Sequence, residues 1–223
     1  MGHGQDPSTG ELLGRPYRHF ANADQRTMRR VDRLPKDLDH GERDAQTAAI
    51  RAEENAKPTG APVAGFDLTF SAPKSVSTLW AVADAGTQAL IAKAHHEAMK
   101  DVLDLLERDV AMTRVGTEGP RGAVAQVEVR GVVAAAYDHY DSRASDPQLH
   151  THVVVANRVQ GVHDGKWRTL DSRALHAAVT GLSEHYNAVL SDHLSRLLSV
   201  TWEARGRGTG RMDRWEIAGV PQE

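Results

Sequence analysis

Three histidines stand close together in the segment HYDSRASDPQLHTH, which covers residues 139–152. His150 and His152 are separated by one threonine, and in a β-strand residues i and i+2 project from the same face. His139 lies eleven positions before His150, across a polar stretch long enough for the chain to turn back. We expect an adjacent antiparallel strand to place His139 beside the other two. Three neutral imidazoles on one side of a sheet form a tripod for a metal ion and leave coordination positions open for water or substrate oxygens.

A carboxylate on another strand could support this tripod. The segment GFDLTFS, residues 65–71, alternates apolar and polar residues with the period of a half-buried strand, and Asp67 lies on its polar side. Such an aspartate either holds a ligand imidazole in one tautomer or simply faces solvent or caps a turn. The sequence contains no cysteine, so thiolate metal sites are excluded. Imidazole donors suit zinc, manganese, nickel, copper or iron, and the spacing does not choose among these metals.

The remaining pattern predicts the elements that position these residues. Two helices follow the first strand, and His95 and His96, neighbours in the second helix that face different directions, are expected at the surface or its boundary. A hairpin turn is predicted at residues 163–165. The closing helix is predicted to be interrupted or bent near Gly181. The full set is a helix at 42–56, a strand at 65–71, helices at 74–84 and 87–110, strands at 123–131, 132–140, 148–162 and 166–170, and a helix at 172–199. This order predicts an α+β fold, an antiparallel β-sheet with helices packed on one face and a His3 metal site on the other.

Composition limits the classes of protein that are possible. The 223 residues, 40% hydrophobic and 26% charged, suit one globular domain. We divide it into a loosely packed N-terminal segment (1–62), a core (63–200) and a basic C-terminal segment (201–223). No membrane span or signal peptide is recognisable, so a cytoplasmic location is expected. The formal net charge of −3 excludes attraction of nucleic acid by the chain as a whole and leaves only local basic patches, at 26–36 and 203–215, for that role.

Three separated blocks of the sequence resemble a known family. They are GFDLTFSAPKSVSTLWAVAD, HYDSRASDPQLHTHVVVANRV and GKWRTLDSRALHAAVTGLSEHYNAVLSDHL, in this order. Together they closely resemble the relaxase domain of MobF-type (TrwC/TraI-like) conjugative proteins, members of the HUH endonucleases with a palm-type sheet. The resemblance covers roughly residues 62–200 and includes the spacing of all three histidines.

The resemblance implies a reaction and roles for particular residues. Such a domain nicks one strand of plasmid DNA at an origin of transfer, through a tyrosine that becomes linked to the 5′-phosphate. His139, His150 and His152 would hold a divalent metal, Mg²⁺ or Mn²⁺ with Zn²⁺ or Ni²⁺ as alternatives, that polarises the phosphate. Asp67 would orient a histidine or help to deprotonate the nucleophile. Lys74 and Arg143 would contact DNA phosphate or brace acidic neighbours.

The nucleophile is the point at which the sequence departs from the family. The family's tyrosines lie near the extreme N-terminus, on a strand before the region that MGHGQDPSTGELLGRPYRHF resembles. Tyr17, Tyr137, Tyr140 and Tyr186 do not match that pattern, so the nucleophile is left unassigned. We therefore expect an N-terminally truncated relaxase domain whose partners are single-stranded origin DNA and either relaxosome proteins or the missing N-terminal strand.

Two other functions remain open. The chain could be a non-catalytic remnant that binds single-stranded DNA or belongs to the relaxosome, in which case DNA affinity should depend on salt and not on metal. It could also be a metal-dependent hydrolase that uses bound water in place of tyrosine. A covalent adduct between protein and DNA would distinguish strand transfer from both alternatives.

Overall fold

The computed structural model describes residues 4–6, 8–17, 20–58, 60, 62–116, 123–206, 208–210 and 213–221. The α-helices are α1 (Ala23–Val31), α2 (His40–Ala56), α3 (Lys74–Val82), α4 (Ala85–Leu105) and α5 (Ser172–Leu198), and a π-helical turn, Leu106–Val110, continues α4. The β-strands are β1 (Gly65–Ser71), β2 (Met112–Gly116), β3 (Val124–Glu128), β4 (Ala134–Asp141), β5 (Pro147–Ala156), β6 (Val159–Gln160), β7 (Trp167–Arg168), β8 (Trp202–Arg205) and β9 (Arg214–Ile217). The fold is therefore α+β, as predicted.

A three-stranded antiparallel sheet with the strand order β1-β5-β4 lies at the centre. The residues of β5 alternate between a buried side, which includes Thr151 and Val153, and a partly exposed side, which includes His150 and His152. This alternation follows from the two-residue period of a strand that is covered on one face only. The sheet therefore has one face for a core and one face open to ligands.

Helices α3, α4 and α5 pack on one face of this sheet, as the sequence predicted. Aliphatic residues of α4 and α5 form the core together with β1 and β5, and Tyr186 of α5 packs edge-on against Phe70 of β1 at 5.5 Å between ring centroids. Asp84 caps α4 by accepting from the backbone N–H groups of Gly86 and Thr87, which would otherwise be unsatisfied. Because both long helices pack on the same side, the opposite face of the central sheet carries the histidines.

The segments at 123–131 and 132–140 are separate strands with different partners. β3 pairs with β2 in a sheet of its own, and β4 pairs with β5. Gly131, between the two, has a φ of +127°, and a Cβ there would lie 3.0 Å from Oε1 of Glu107. The backbone conformation that glycine permits turns the chain from one sheet into the other. Sequence periodicity alone does not identify a strand's partner.

The closing helix is continuous, so the predicted break near Gly181 is wrong. A glycine inside a helix costs about 1 kcal/mol relative to alanine. Burial of Leu182, Leu190 and Leu194 on the core face of α5 outweighs that cost. The predicted hairpin turn is present and joins the short strands β6 and β7.

The N-terminal region contains one helix more than the sequence pattern indicated. The predicted helix is α2, and it packs against α1, which covers part of the basic segment 26–36. Glu54 of α2 is buried and forms ion pairs with Lys57, Arg26 and Arg30. Hydrogen bonds from Lys57 and then Arg26 lower the pKa of Glu54 to about 2. Arg26 and Arg30 belong to the basic segment 26–36, and they thus serve in part to neutralise a buried carboxylate.

The C-terminal hairpin of β8 and β9 docks onto the start of α3. Glu216, which is buried, accepts hydrogen bonds from the backbone N–H of Ser75 at 2.8 Å and from its hydroxyl at 2.6 Å. Within the described residues, no helix combines the length and apolar character needed to cross a membrane. The division of the chain at residues 62 and 200 stays a prediction.

Candidate metal centre

The three predicted ligand histidines converge on the open face of the central sheet. His139 of β4 lies directly opposite His150 of β5 in the strand register, and His152 is two positions further along the same strand. The ring centroids are 5.1 to 5.3 Å apart. One ring nitrogen from each histidine lies within 4.8 Å of the other two. The structure thus brings the three rings close enough to share one ion.

The hydrogen bonds of two histidines leave the same ring nitrogen available. Nδ1 of His152 lies 2.8 and 3.0 Å from the two carboxylate oxygens of Asp67, and Nδ1 of His150 lies 2.9 Å from the carbonyl oxygen of Gln148. A carboxylate and a carbonyl only accept hydrogen bonds, so each Nδ1 carries the proton. In neutral imidazole the lone pair is then on Nε2, which is the form that binds metal. The donor set therefore fits a divalent cation.

Asp67 lies on β1, on the face that carries the histidines. Its neighbour on that face, Thr69, pairs with His152 in the strand register, and the Thr69 hydroxyl is 3.3 Å from His152 Nδ1. The Asp67 side chain is 53% exposed, so water screens its charge. We infer that its contact acts mainly by fixing the orientation and tautomer of the imidazole. Of the two readings that the sequence left open, the geometry agrees with support of a ligand.

The two predicted DNA-binding cations have different surroundings. Lys74 forms an ion pair with Asp146 and donates to the carbonyl oxygen of Pro147 at 2.9 Å. The hydrogen bond from Lys74, followed by one from Ser142, lowers the pKa of Asp146. Arg143 is exposed in the turn between β4 and β5. Lys74 thus braces the connection that carries the chain from His139 to His150, and a phosphate contact by either cation stays a prediction.

One of the four tyrosines shares the face of the histidines. Tyr137 lies opposite His152 in the register and is 55% exposed.

The other three tyrosines are placed elsewhere. Tyr140 points to the other face of β4 and stacks on Trp80, and Tyr186 is buried. Tyr17 donates to the carbonyl oxygen of Ala64 at 3.0 Å and lies under the guanidinium of Arg158. All four lie within the described residues, so Tyr137 alone is placed to touch a ligand over the metal face.

His95 is buried, and its predicted surface position is wrong. Its Nδ1 lies 2.6 Å from the hydroxyl of Tyr186 and its Nε2 lies 2.8 Å from the hydroxyl of Thr151. Burial lowers the pKa of His95 to about 4, so the ring is neutral at physiological pH. The spacing from Ile91 and Ala98 places it on the core stripe of α4, and this signal could have identified it. His96 is partly exposed, as expected, and binds Asp138.

The sequence comparisons identify relatives in conjugation. The family model described as TrwC relaxase matches residues 1–223. Two relatives, both named multifunctional conjugation protein TraI, come from Escherichia coli and from its strain K12. They are 40% identical over 168 residues and 39% identical over 165 residues. Each match covers 71% of this chain but only 9% of the relative, so the chain spans a small part of those proteins.

Solved structures of similar fold agree with the sequence matches. Conjugative relaxase TrwC in complex with oriT DNA, in a metal-bound structure, is 35% identical with a TM-score of 0.56, and the match covers 70% of this chain and 49% of that one. TrwC complexed with a 27-mer DNA that comprises the recognition hairpin and the cleavage site is 28% identical with a TM-score of 0.57. That match covers 88% of this chain and 67% of the other.

Proposed function

The chain belongs to the TrwC relaxase family, the MobF-type relaxases, and from this premise we propose that it is the DNA-nicking domain of a conjugative relaxase. Its substrate would be single-stranded DNA at an origin of transfer, and its partners other relaxosome proteins. The observation that carries the proposal is the convergence of His139, His150 and His152 on the open face of the sheet, with His152 held by Asp67. A cytoplasmic location is part of the same proposal.

The reaction is the attack of a tyrosine oxygen on a DNA phosphorus. The tyrosine oxygen gives up its proton as a new O–P bond forms, the bond from phosphorus to the 3′-oxygen breaks, and the 3′-oxygen takes up a proton, so the products are a 5′-phosphotyrosyl link and a free 3′-hydroxyl. The three histidines would hold a divalent metal, which would supply positive charge where negative charge develops on the phosphate. The protein residues hold three neutral imidazoles in place, and Asp67 keeps the proton of His152 on Nδ1.

We propose Mg²⁺ or Mn²⁺ as the physiological ion. A hard cation suits phosphoryl transfer because it binds phosphate oxygens and exchanges its ligands readily. Three imidazoles bind Zn²⁺ and Ni²⁺ more tightly than Mn²⁺, so these ions would compete for the site in the isolated protein. Mn²⁺ is therefore the probe of choice for activity.

Local features must bind the DNA, because the chain as a whole carries a net charge of −3. Tyr137 offers an exposed ring beside His152 on which a base can stack. Arg143 is exposed in the turn that joins the two histidine-bearing strands and can reach a phosphate near the metal. Both residues would hold the strand across the metal face.

None of the four tyrosines is assigned as the nucleophile, and this leads to a direct test, in which a synthetic peptide with paired tyrosines is added to the 223-residue chain. The substrate is a randomised pool of single-stranded oligonucleotides labelled at the 3′-end, because the cleaved 3′ fragment keeps the phosphotyrosyl link. We expect a labelled adduct that requires Mn²⁺ and disappears in the His150→Ala, His152→Ala double variant. The absence of an adduct with and without peptide would contradict strand transfer.

A second candidate is a unit that binds single-stranded DNA without chemistry. The positions of the tyrosines favour it, because Tyr17 is engaged with Ala64 and Arg158, and Tyr186 is buried. Retention of the oligonucleotide pool with the same affinity in EDTA and in Mn²⁺, together with no adduct, would identify this function. Cleavage without an adduct would instead indicate attack by water.

A further inference from the structure

A network of five hydrogen-bonded side chains crosses the helix-covered side of the sheet, behind the metal centre, and its Asp138 end is exposed. It runs from Tyr186 to His95 (2.6 Å), from His95 to Thr151 (2.8 Å), from Thr151 to Asp138 (2.6 Å), and from Asp138 to His96 (3.0 Å). It thereby connects α5, α4, β5 and β4. Thr151, its central member, is fully buried and lies between His150 and His152 in the sequence.

Donor and acceptor chemistry fixes the direction of every hydrogen bond in this network. The carboxylate of Asp138 accepts a hydrogen bond from the hydroxyl of Thr151 and lies 3.0 Å from Nε2 of His96. The single proton of the Thr151 hydroxyl goes to Asp138, and its oxygen therefore accepts from Nε2–H of His95. Nδ1 of His95 is then an acceptor for the hydroxyl of Tyr186. Each link requires the next, which is how such networks restrict a structure to one conformation.

This network lies next to an irregularity in the pairing of β4 with β5. Asp138 and Thr151 form the register pair next to His139 and His150, and the register shifts between His139 and Asp141. His139 is thus the last regular residue of β4 before an irregularity that bends the strand. The bond from Thr151 to Asp138 ties β4 to β5 from the buried side, one residue away from two of the three ligands.

We propose that Thr151, held by His95 and Asp138, is a positioning residue for the metal centre. Its hydroxyl fixes the rotation of β5 and the approach of β4, so that the three imidazoles on the opposite face aim at one point. The inference rests on the proposed metal site and adds a supporting shell on the far side of the sheet. Thr151 projects from the side of β5 opposite to His150 and His152, so its effect must pass through the backbone of the ligand-bearing strands.

Replacement of Thr151 by valine tests the proposal, because valine keeps the shape of threonine and removes only the hydroxyl. Thr151→Ser restores the hydroxyl. Thr113→Val is the matched control, since Thr113 is equally buried in a strand and its hydroxyl donates at 2.8 Å to the carbonyl oxygen of Thr169, in a region without ligand histidines. The measurements are the dissociation constant for Mn²⁺ by calorimetry, the visible absorption spectrum of bound Co²⁺, and the thermal midpoint of the metal-free protein.

We expect Thr151→Val to weaken Mn²⁺ binding about tenfold or more, which is the effect of removing a supporting group of a metal ligand. The visible absorption bands of bound Co²⁺ should also shift. Thr151→Ser should bind as the native chain does. Thr113→Val should lose thermal stability but keep its metal affinity and spectrum. An unchanged affinity and spectrum in Thr151→Val, or an equal loss in Thr113→Val, would overturn the positioning role while the metal site stands. If the native chain bound neither ion, the metal site itself would be wrong and this role with it.

Discussion

Asp67 of β1 and His152 of β5 meet on the open face of the sheet, with both carboxylate oxygens within 3.0 Å of the ring Nδ1. The pair links two strands whose residues are far apart in the sequence, and it determines which nitrogen of His152 is free. The orientation of this imidazole therefore depends on the fold as a whole rather than on the local segment that contains the histidines.

Replacement of Asp67 by asparagine should weaken metal binding. An amide can still contact His152, but it carries no charge and does not favour the Nδ1–H tautomer as strongly. We expect a loss of about tenfold in the affinity for Mn²⁺, measured by calorimetry. Asp192→Asn on α5 is the control, because that aspartate has a similar exposure of 52% and pairs with Arg196 on the helical side. Equal affinities of the two variants would show that Asp67 only faces solvent.

The burial of His95 should make the protein sensitive to acid. The pKa of His95 is about 4 in the folded chain against an ordinary value of 6.5, so the unfolded state binds the proton more readily. Stability from this group is present above pH 6.5 and falls as the pH decreases towards 4. The loss between pH 7 and pH 5 is about 2 kcal/mol.

His95→Gln tests this acid sensitivity, because glutamine can donate to Thr151 and accept from Tyr186 but does not titrate. The free energy of unfolding in urea at the two pH values should fall less in the variant than in the native chain. A pH dependence identical in both proteins would mean that other groups cause the acid sensitivity.

Tyr137 should contribute to DNA binding through its ring and not through its hydroxyl. Removal of one base-stacking aromatic costs about 1–3 kcal/mol of binding free energy. We therefore expect Tyr137→Ala to bind the oligonucleotide pool more weakly and Tyr137→Phe to bind it as the native chain does, by fluorescence anisotropy. If adduct formation also survived in Tyr137→Phe, Tyr137 would be excluded as the nucleophile. Unchanged binding by Tyr137→Ala would place the strand elsewhere.

Arg143 should contribute to DNA binding electrostatically. Loss of one phosphate contact to a single strand lowers the slope of log affinity against log salt by about 0.7. We expect this decrease for Arg143→Gln in a salt series with the oligonucleotide pool. Arg196→Gln is the control, because it removes a cation of the same type from the exposed side of α5, on the opposite side of the molecule. The same slope for both variants and the native chain would remove Arg143 from the interface.

Strand periodicity predicted the histidine cluster because the direction in which a side chain leaves a strand depends on local geometry. The two-residue period placed His150 and His152 on one face, and the length of the intervening segment allowed β4 to bring His139 back beside them. Asp67 could be assigned to a polar strand face in the same way. Its contact with His152 could not, because that contact depends on β1 pairing with β5.

The errors have the same physical origin. His95 was expected at the surface or its boundary because adjacent residues of a helix face different directions, whereas a hydroxyl on α5 and another on β5 provide the partners that make its burial favourable. The continuity of α5 through Gly181 likewise depends on contacts that no local pattern contains. Tertiary contacts overrode local preference at each of these places.

The amount of Mn²⁺ bound per chain tests the central claim most directly. Equilibrium dialysis would compare the native protein with the His150→Ala, His152→Ala double variant, and circular dichroism would verify that both are folded. We expect about one ion per native chain and none in the variant at the same concentration, because one remaining imidazole cannot hold the ion. A folded double variant that bound Mn²⁺ with native affinity and stoichiometry would contradict it.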